Sequence, residues 1–417
     1  MIEAVDRIVR FPAGPLAPDT GVAPHPLRGA RVLIATESLG PVNGVTRATA
    51  SFRTHLAAHD IASVTLAPET GTDADRDSES IIRLPGMPLT YNPELRIVRP
   101  FDVPALFRRV GRPDVIYLAS PATLGFQLWW QVRNMGIPVV ATFQTDLATY
   151  ARLMLPRPAR LAASWGADQF TARLYRDPAI RLAFDPSSRS RNYLVGLGVP
   201  EEKLRLLGRG VDCELFHRAK RSDVVRQALA PHGELLLLCV SRLSYEKGFG
   251  FLAASYREIV TQAKAQGITR PFRLVITGSN ANPAIDTDVR RCFDGLDVHF
   301  TGMLTGEALA AVYASADMFV FPSQSETFGQ VIQEAMASGL PTVALRAGGP
   351  ADLVVPGQTG TLVAPNDVPA FADAALGLIA DDLLRARMGR VARAVAEHRS
   401  WDAINLRIAQ ALAEVIS

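Results

Sequence analysis

Alternation is the feature that most constrains this chain. From Arg31 onward, short apolar runs rich in β-formers, at residues 32–35, 64–67, 115–118 and 139–142, are separated by longer amphipathic stretches. That rhythm specifies βαβ units and a parallel sheet. It pauses in a polar, charged stretch around residues 208–232, then restarts at 234–240, 272–277, 298–301, 318–321 and 341–345. A chain of 417 residues is too long for one core. The expectation is an α/β protein of two doubly wound, Rossmann-like domains, residues 28–210 and 211–399, divided in the pause. Ligands of such sheets bind beyond the carboxyl ends of the strands, so the chemistry is sought in the loops that follow each run.

Composition removes several classes. Apolar residues make up 48% and charged residues 20%, as in well-packed globular domains. No apolar run approaches the roughly 20 residues that span a bilayer. Three cysteines, Cys213, Cys239 and Cys292, have neither disulfide nor zinc spacing, and a reducing cytoplasm is the simplest compartment. Residues 1–27 are proline-rich without a signal-peptide core and read as a loose leader. The seven histidines are scattered along the sequence, and none pairs with Ser or Cys in a hydrolytic pattern. His299, between Val298 and Phe300, reads as a strand side chain rather than a ligand.

The net charge of +3 hides an asymmetry: residues 83–209 carry 18 Lys and Arg against 9 Asp and Glu. Within that stretch Arg152, Arg157, Arg160, Arg173 and Arg176 are interleaved with Leu153, Met154, Leu155, Leu161, Trp165 and Phe170. Such a surface suits anionic lipid, with an ordinary solvated face as the plainer alternative. No nucleic-acid motif is present and no nucleic-acid partner is expected.

The run at 318–321 is stopped by Pro322 and Ser323 and leads into Glu326, Thr327, Phe328, Gly329, Gln330, Val331 and Glu334. A helix beginning near Phe328 would offer the amides of Phe328 to Val331 to a diphosphate, with Glu326 ahead of it and Glu334 about two turns inside. Eight positions of helical rise separate the carboxylates by roughly 10 Å, whereas a retaining glycosidase needs about 5 Å. The pair therefore suits the two ends of an elongated ligand better than a hydrolytic dyad. After the run at 234–240 come Arg242 and Lys247, a guanidinium and an ammonium able to neutralise a diphosphate. In the first half the run ending at Thr36 leads into a loop containing Asn43 and Gly44 that opens a helix, as phosphate-binding turns do. Asp73-Ala74-Asp75 and Asp286-Thr287-Asp288 match a D-x-D metal motif superficially but are placed in polar loops.

Together with Gly302, the segment Ala347-Gly348-Gly349-Pro350 and the segment Pro356-Gly357-Gln358-Thr359-Gly360, these pieces give the chain, from about Arg31 to its end, a resemblance to the retaining glycosyltransferases of family 4, which have the GT-B fold. The resemblance implies an acceptor-binding first domain, a nucleotide-sugar-binding second domain, and a last segment, 400–417, that packs back on the first. Two facing domains would share one cleft and close over it. It implies that Glu326 contacts the donor sugar, Glu334 the ribose, Arg242 and Lys247 the diphosphate, and the backbone of Met303 and Leu304 the base. Gly278 and the residues 327–331 join the donor site, and no cofactor or metal is implied.

Where many members have a histidine against the transferred sugar, this chain has Gln144, two residues before Asp146. Glutamine cannot take up a proton near neutral pH, so positioning is the role left to it. The Q-T-D variant beside the V-N-G-V loop resembles bacterial GDP-mannose-dependent mannosyltransferases of glycolipid synthesis. UDP-sugar-dependent synthases that act on lipids or natural products share the loop and are the alternative. A disaccharide phosphorylase, a sugar-nucleotide epimerase and a non-catalytic sugar-nucleotide sensor are the further readings. The expected partners are a nucleotide sugar and a lipid or small-molecule acceptor, with peripheral contact at the cytoplasmic membrane face.

Overall fold

The computed structural model describes residues 25–39, 44–69, 80–89, 92–144, 147–148, 157–280, 282–324, 326 and 328–416. The leader up to residue 24, Asn43, Asp146, residues 151–156, the Asp73-Ala74-Asp75 motif and Thr327 lie outside the described residues. The chain divides into two compact units, one ending at Gly210 and completed by 401–417, the other spanning Val211–Ser400. Both crossings lie side by side in sequence pairing, because Val211 bridges to Ser400 and donates its amide to Arg399 O at 3.0 Å.

The first unit holds a parallel sheet of β1 (Arg31–Thr36), β2 (Ala62–Pro68), β3 (Ile81–Leu84), β6 (Val115–Ser120), β7 (Val139–Thr142), β8 (Ile180–Asp185) and β9 (Leu204–Leu206), in the order β3-β2-β1-β6-β7-β8-β9. A hairpin of β4 (Gly86–Leu89) and β5 (Asn92–Val98) stands apart. The strands are apolar on successive residues because both faces are covered. Leu33, Ile116, Leu118 and Val139 pack on one face with Leu128 and Trp129. Ile34, Tyr117 and Val140 pack on the other with Phe52 and Leu56, and with Ile404, Ile408 and Leu412 of the last helix, Trp401–Ile416. That helix is held by Asn405 Nδ2 donating to Ser51 Oγ at 2.9 Å and by Arg205 gripping both oxygens of Glu414 at 2.6 Å. Gly210 makes room for it: a Cβ there would stand 2.3 Å from the Trp401 ring.

The second unit repeats the plan with β10 (Leu235–Val240), β11 (Phe272–Thr277), β12 (Val298–Gly302), β13 (Met318–Phe321), β14 (Thr342–Leu345) and β15 (Gly360–Val363), all parallel, in the order β12-β11-β10-β13-β14-β15. Residues 211–232 are not a free linker. Phe216 and Leu229 belong to the core, and Arg226 reaches Asp317 Oδ2 at 2.6 Å.

In both sheets the strand order reverses direction once, between β1 and β6 and between β10 and β13. At each reversal the following loops part in opposite directions and leave a crevice at the carboxyl ends. In the second unit that crevice is bounded by the loops carrying Lys247 and Glu326, which follow β10 and β13.

Candidate active site

The β10 strand feeds a short turn, Tyr245–Lys247, closed by Gly248 at φ 78°. A side chain at Gly248 would meet Pro322 O at 2.5 Å, so the close approach of this turn to the end of β13 requires glycine. The approach delivers Lys247 to Glu326: Nζ donates to Oε2 at 2.8 Å, with both side chains about four-fifths buried. Arg242 lies beside them in sequence but is exposed at 73%, its nearest carboxylate being Glu246 at 3.8 Å.

Glu326 does more than pair with Lys247. Its Oε1 accepts the amides of Phe328 and Gly329 at 3.3 and 3.1 Å. The helix starts at Gln330, with Gly329 at φ 91° as its N-cap, rather than near Phe328 as the sequence reading has it. Two of the four amides expected to be free donors are therefore taken by the chain's own carboxylate. Burial raises the affinity of Glu326 for a proton, but the Lys247 ammonium and the two amides outweigh it and hold the carboxyl below its usual range. Behind the loop, Gly349 donates its amide to Glu326 O at 2.9 Å. A Cβ at Gly348 would lie 2.2 Å from that same oxygen, and one at Gly349 would lie 2.3 Å from Phe328 O. The glycine pair thus fixes the backbone that carries the carboxylate.

Glu334 sits one turn inside the helix Gln330–Ala337, not two, and is buried. Its Oε2 accepts the Tyr313 hydroxyl at 3.1 Å, and the same hydroxyl reaches Val331 O at 3.1 Å. Burial, then the charge of Glu334, pushes the Tyr313 phenol up, so it stays a donor. Sequence reasoning passed over Tyr313 because it lies in an apolar helical stretch, Gly306–Ser315, that reads as core.

The neighbouring strand ends are tied together. Gly278, at φ 144°, donates its amide to Gly302 O at 2.9 Å, and a Cβ on it would stand 1.9 Å from Ser241 O. Beyond Gly302 the Met303 side chain is exposed at 58%, while Leu304 packs against the core.

Asp286 and Asp288 lie in the helix Pro283–Arg291, not in a loop. Asp286 is held by Arg290, and Asp288 by Arg291 and the Tyr245 hydroxyl. Carboxylates so engaged by arginines are part of the surface charge network rather than a metal pair.

In the first unit Gln144 follows β7, and its Nε2 donates to Ala119 O at 2.9 Å. Its Oε1 is buried without a hydrogen-bond partner among the described residues, beside a cavity lined by Tyr117, Thr142, Arg209 and Asn405. Gly44 opens the helix Gly44–Ala58. Glu37, at the end of β1, is buried and caps the helix Thr123–Val132 through the amides of Ala122 and Gly125, at 2.7 and 2.9 Å. The histidines are less scattered in space than in sequence: His25, His55 and His59 come together on this unit.

Two family models match the chain, one described as "Glycosyltransferase Family 4" over residues 42–215 and one as "Glycosyl transferases group 1" over residues 234–381. A GDP-mannose-dependent alpha-mannosyltransferase of Mycobacterium tuberculosis is 34% identical over 392 residues, covering 90% of this chain and 94% of that protein. Its counterpart in Mycolicibacterium smegmatis is 36% identical over 388 residues, with the same shares covered. Among solved structures, sucrose-phosphate synthase from Thermosynechococcus elongatus superposes with a TM-score of 0.67 at 23% identity, covering 92% of this chain and 98% of that one, which shows a GT-B fold. The parallel sheets, the strand-end site and this similarity along nearly the whole chain lead to one conclusion: the chain belongs to glycosyltransferase family 4, a family of retaining enzymes.

Proposed function

We propose that this glycosyltransferase moves mannose from GDP-mannose to a hydroxyl of a lipid or glycolipid acceptor, with retention at the anomeric carbon. The observation that carries the donor half is the cradle around Glu326, in which an ammonium and two backbone amides hold one anionic group at the carboxyl end of the sheet. The choice of base and sugar is supported by what the mycobacterial relatives are named for.

The roles follow from charge. Lys247 and the exposed Arg242 stabilise the departing diphosphate, and the amides ahead of the helix Gln330–Ala337 add their dipoles. Those amides and Lys247 are engaged by Glu326 in this structure, so the donor diphosphate takes over contacts that the carboxylate holds, leaving Glu326 for the sugar. Glu334, oriented by Tyr313, binds the ribose. Gln144 positions the transferred sugar, since its amide cannot act as a base. The diphosphate itself takes the acceptor proton. Two cations at the diphosphate make a divalent metal unnecessary, so activity should persist in EDTA.

The membrane half rests on the helix Arg157–Arg176, which exposes Leu161 at 84% and Trp165 at 67% alongside Arg160, Arg173 and Arg176. Apolar tips among guanidinium groups suit peripheral contact with an anionic bilayer. No helix among the described residues is long and apolar enough to cross one.

The test is a panel of GDP-, UDP- and ADP-sugars in EDTA, followed by thermal shift and by release of nucleotide. A response to GDP-mannose alone supports the reading. A response to UDP-sugars alone transfers the enzyme to the alternative branch, and turnover only with inorganic phosphate would make it a phosphorylase. Sedimentation with anionic but not neutral vesicles, weakened in Trp165→Ala, checks the membrane half.

A further inference from the structure

His55 lies in the last turn of the helix Gly44–Ala58 and His59 in the turn immediately after it, four residues on, with their ring centroids 4.6 Å apart. His25, six residues ahead of β1, is brought against them. Its Nε2 stands 3.2 Å from His55 Nε2, and one ring nitrogen from each of the three histidines lies within 4.8 Å of the others. Two nitrogens bound to one tetrahedral zinc ion at about 2.0–2.1 Å are themselves about 3.3 Å apart. The His25–His55 spacing already has that value.

The outer contact of His59 orients its ring as a metal ligand is oriented. His59 Nδ1 lies 2.8 Å from His55 O, which places the ring proton there and leaves the Nε2 lone pair unshared. His59 is exposed, so its ring has room to swing in and close the remaining gap, while His25 and His55 are half-buried. The amide of Leu27 reaches His25 Nδ1 at 3.2 Å, so ligation through Nε2 moves that ring's proton to Nδ1 and gives up this long contact. Burial, and then neighbouring imidazoles, lower the affinity of His25 and His55 for a proton, His55 to about 4.

The geometry points to a site for one zinc-class divalent cation on His25, His55 and His59, with water as the fourth ligand. Three imidazoles select zinc, nickel, cobalt or copper over magnesium or calcium, which prefer oxygen. The site is separate from the transfer chemistry. Helix Gly44–Ala58 runs from the carboxyl end of β1 back to the amino end of β2, so its last turn lies on the edge of the sheet away from Gln144, about 20 Å along the helix. The cation ties the segment entering β1 to the helix leaving it, as a staple for the first unit.

Tag-free full-length protein, stripped with EDTA and exchanged into buffer, is titrated with zinc chloride by calorimetry and with cobalt by visible absorption. One equivalent is expected, with four-coordinate cobalt bands and a rise in melting temperature of about 5–10 °C at a hundredfold excess over Kd. His59→Gln should bind at least about tenfold more weakly, and so should His55→Gln, with donor turnover unchanged in both. The exposed His59 keeps the test valid should His55→Gln fail to fold. Absence of saturable binding, equal binding of magnesium, or full zinc affinity in His59→Gln would overturn the site and leave the donor reading untouched.

Discussion

Two carboxylates, each just beyond a strand that flanks the reversal in its own sheet, have nearly the same backbone company and opposite electrostatics. Glu37 follows β1 and takes two amides on Oε1, from Ala122 and Gly125, at the start of a helix. Glu326 follows β13 and takes two amides on Oε1, from Phe328 and Gly329, ahead of a helix. Glu37 forms no ion pair among the described residues, and its burial outweighs the amides and the Thr123 hydroxyl, so its pKa is raised. Glu326 adds Lys247 and its pKa is lowered. One cation separates the two: in the proposed function, a carboxylate paired with an ammonium can yield its place to a phosphate, whereas a carboxyl sealed in the fold without a cation cannot.

Removing the cation should erase the distinction. Lys247→Met is expected to lower turnover by about 100-fold or more, by analogy with loss of one charge-stabilising donor. The acid limb of its pH–rate profile should also move up, because Glu326 then keeps its burial without its partner. Wild-type kcat in this variant would break the comparison. Removing the sealed carboxyl should instead act on stability. Glu37→Ala strands two or three buried amides, at about 1–3 kcal/mol for each unsatisfied group, and is expected to lower the melting temperature while the melting shift produced by the donor persists.

The pH dependences sharpen the contrast, since the signs differ. Glu326, lowered in the fold, contributes stability that is present above the ordinary carboxyl range and is lost as pH falls through its folded value. Glu37, raised in the fold, contributes stability that is present below that range and is lost as pH rises toward its folded value. Glu37→Gln should therefore be neutral in acid and gain relative to wild type at neutral pH, measured by denaturant titration at each pH. The smallest effect is expected at Tyr313→Phe, which removes one hydrogen bond to Glu334. A rise in KM for the donor of roughly fivefold, about 1 kcal/mol, with kcat retained would place Tyr313 in orientation of the ribose ligand.

The strands named from the sequence are those with continuous apolar runs, and each of them forms. β3, β8, β9, β15 and the β4–β5 hairpin are not legible as continuous runs because they are short or alternate with charge, as in the Ile-Arg-Leu-Ala-Phe-Asp of β8. Local pattern carries burial on both faces strongly and an edge strand weakly. The start of the helix was misplaced by two residues for a related reason. Gly329 in the left-handed region and the Glu326 carboxylate settle that boundary, and neither is periodic in sequence.

By itself the sequence determined two parallel sheets, the placement of Arg242, Lys247 and Glu326 at strand ends with Glu334 inside the helix that follows, and the family that this combination marks. Those properties are local: a run, a stop, and a charged or glycine residue just beyond it. Only the tertiary structure decided that Lys247 meets Glu326 across 79 positions, Glu37 meets Ala122 across 85, and His25 meets His55 across 30. Each meeting depends on crossover connections that set β10 beside β13, β1 beside β6, and the helix after β1 against the segment before it. Neighbourhood in a doubly wound sheet is fixed by packing both faces at once, and no stretch of sequence shorter than the domain contains that information.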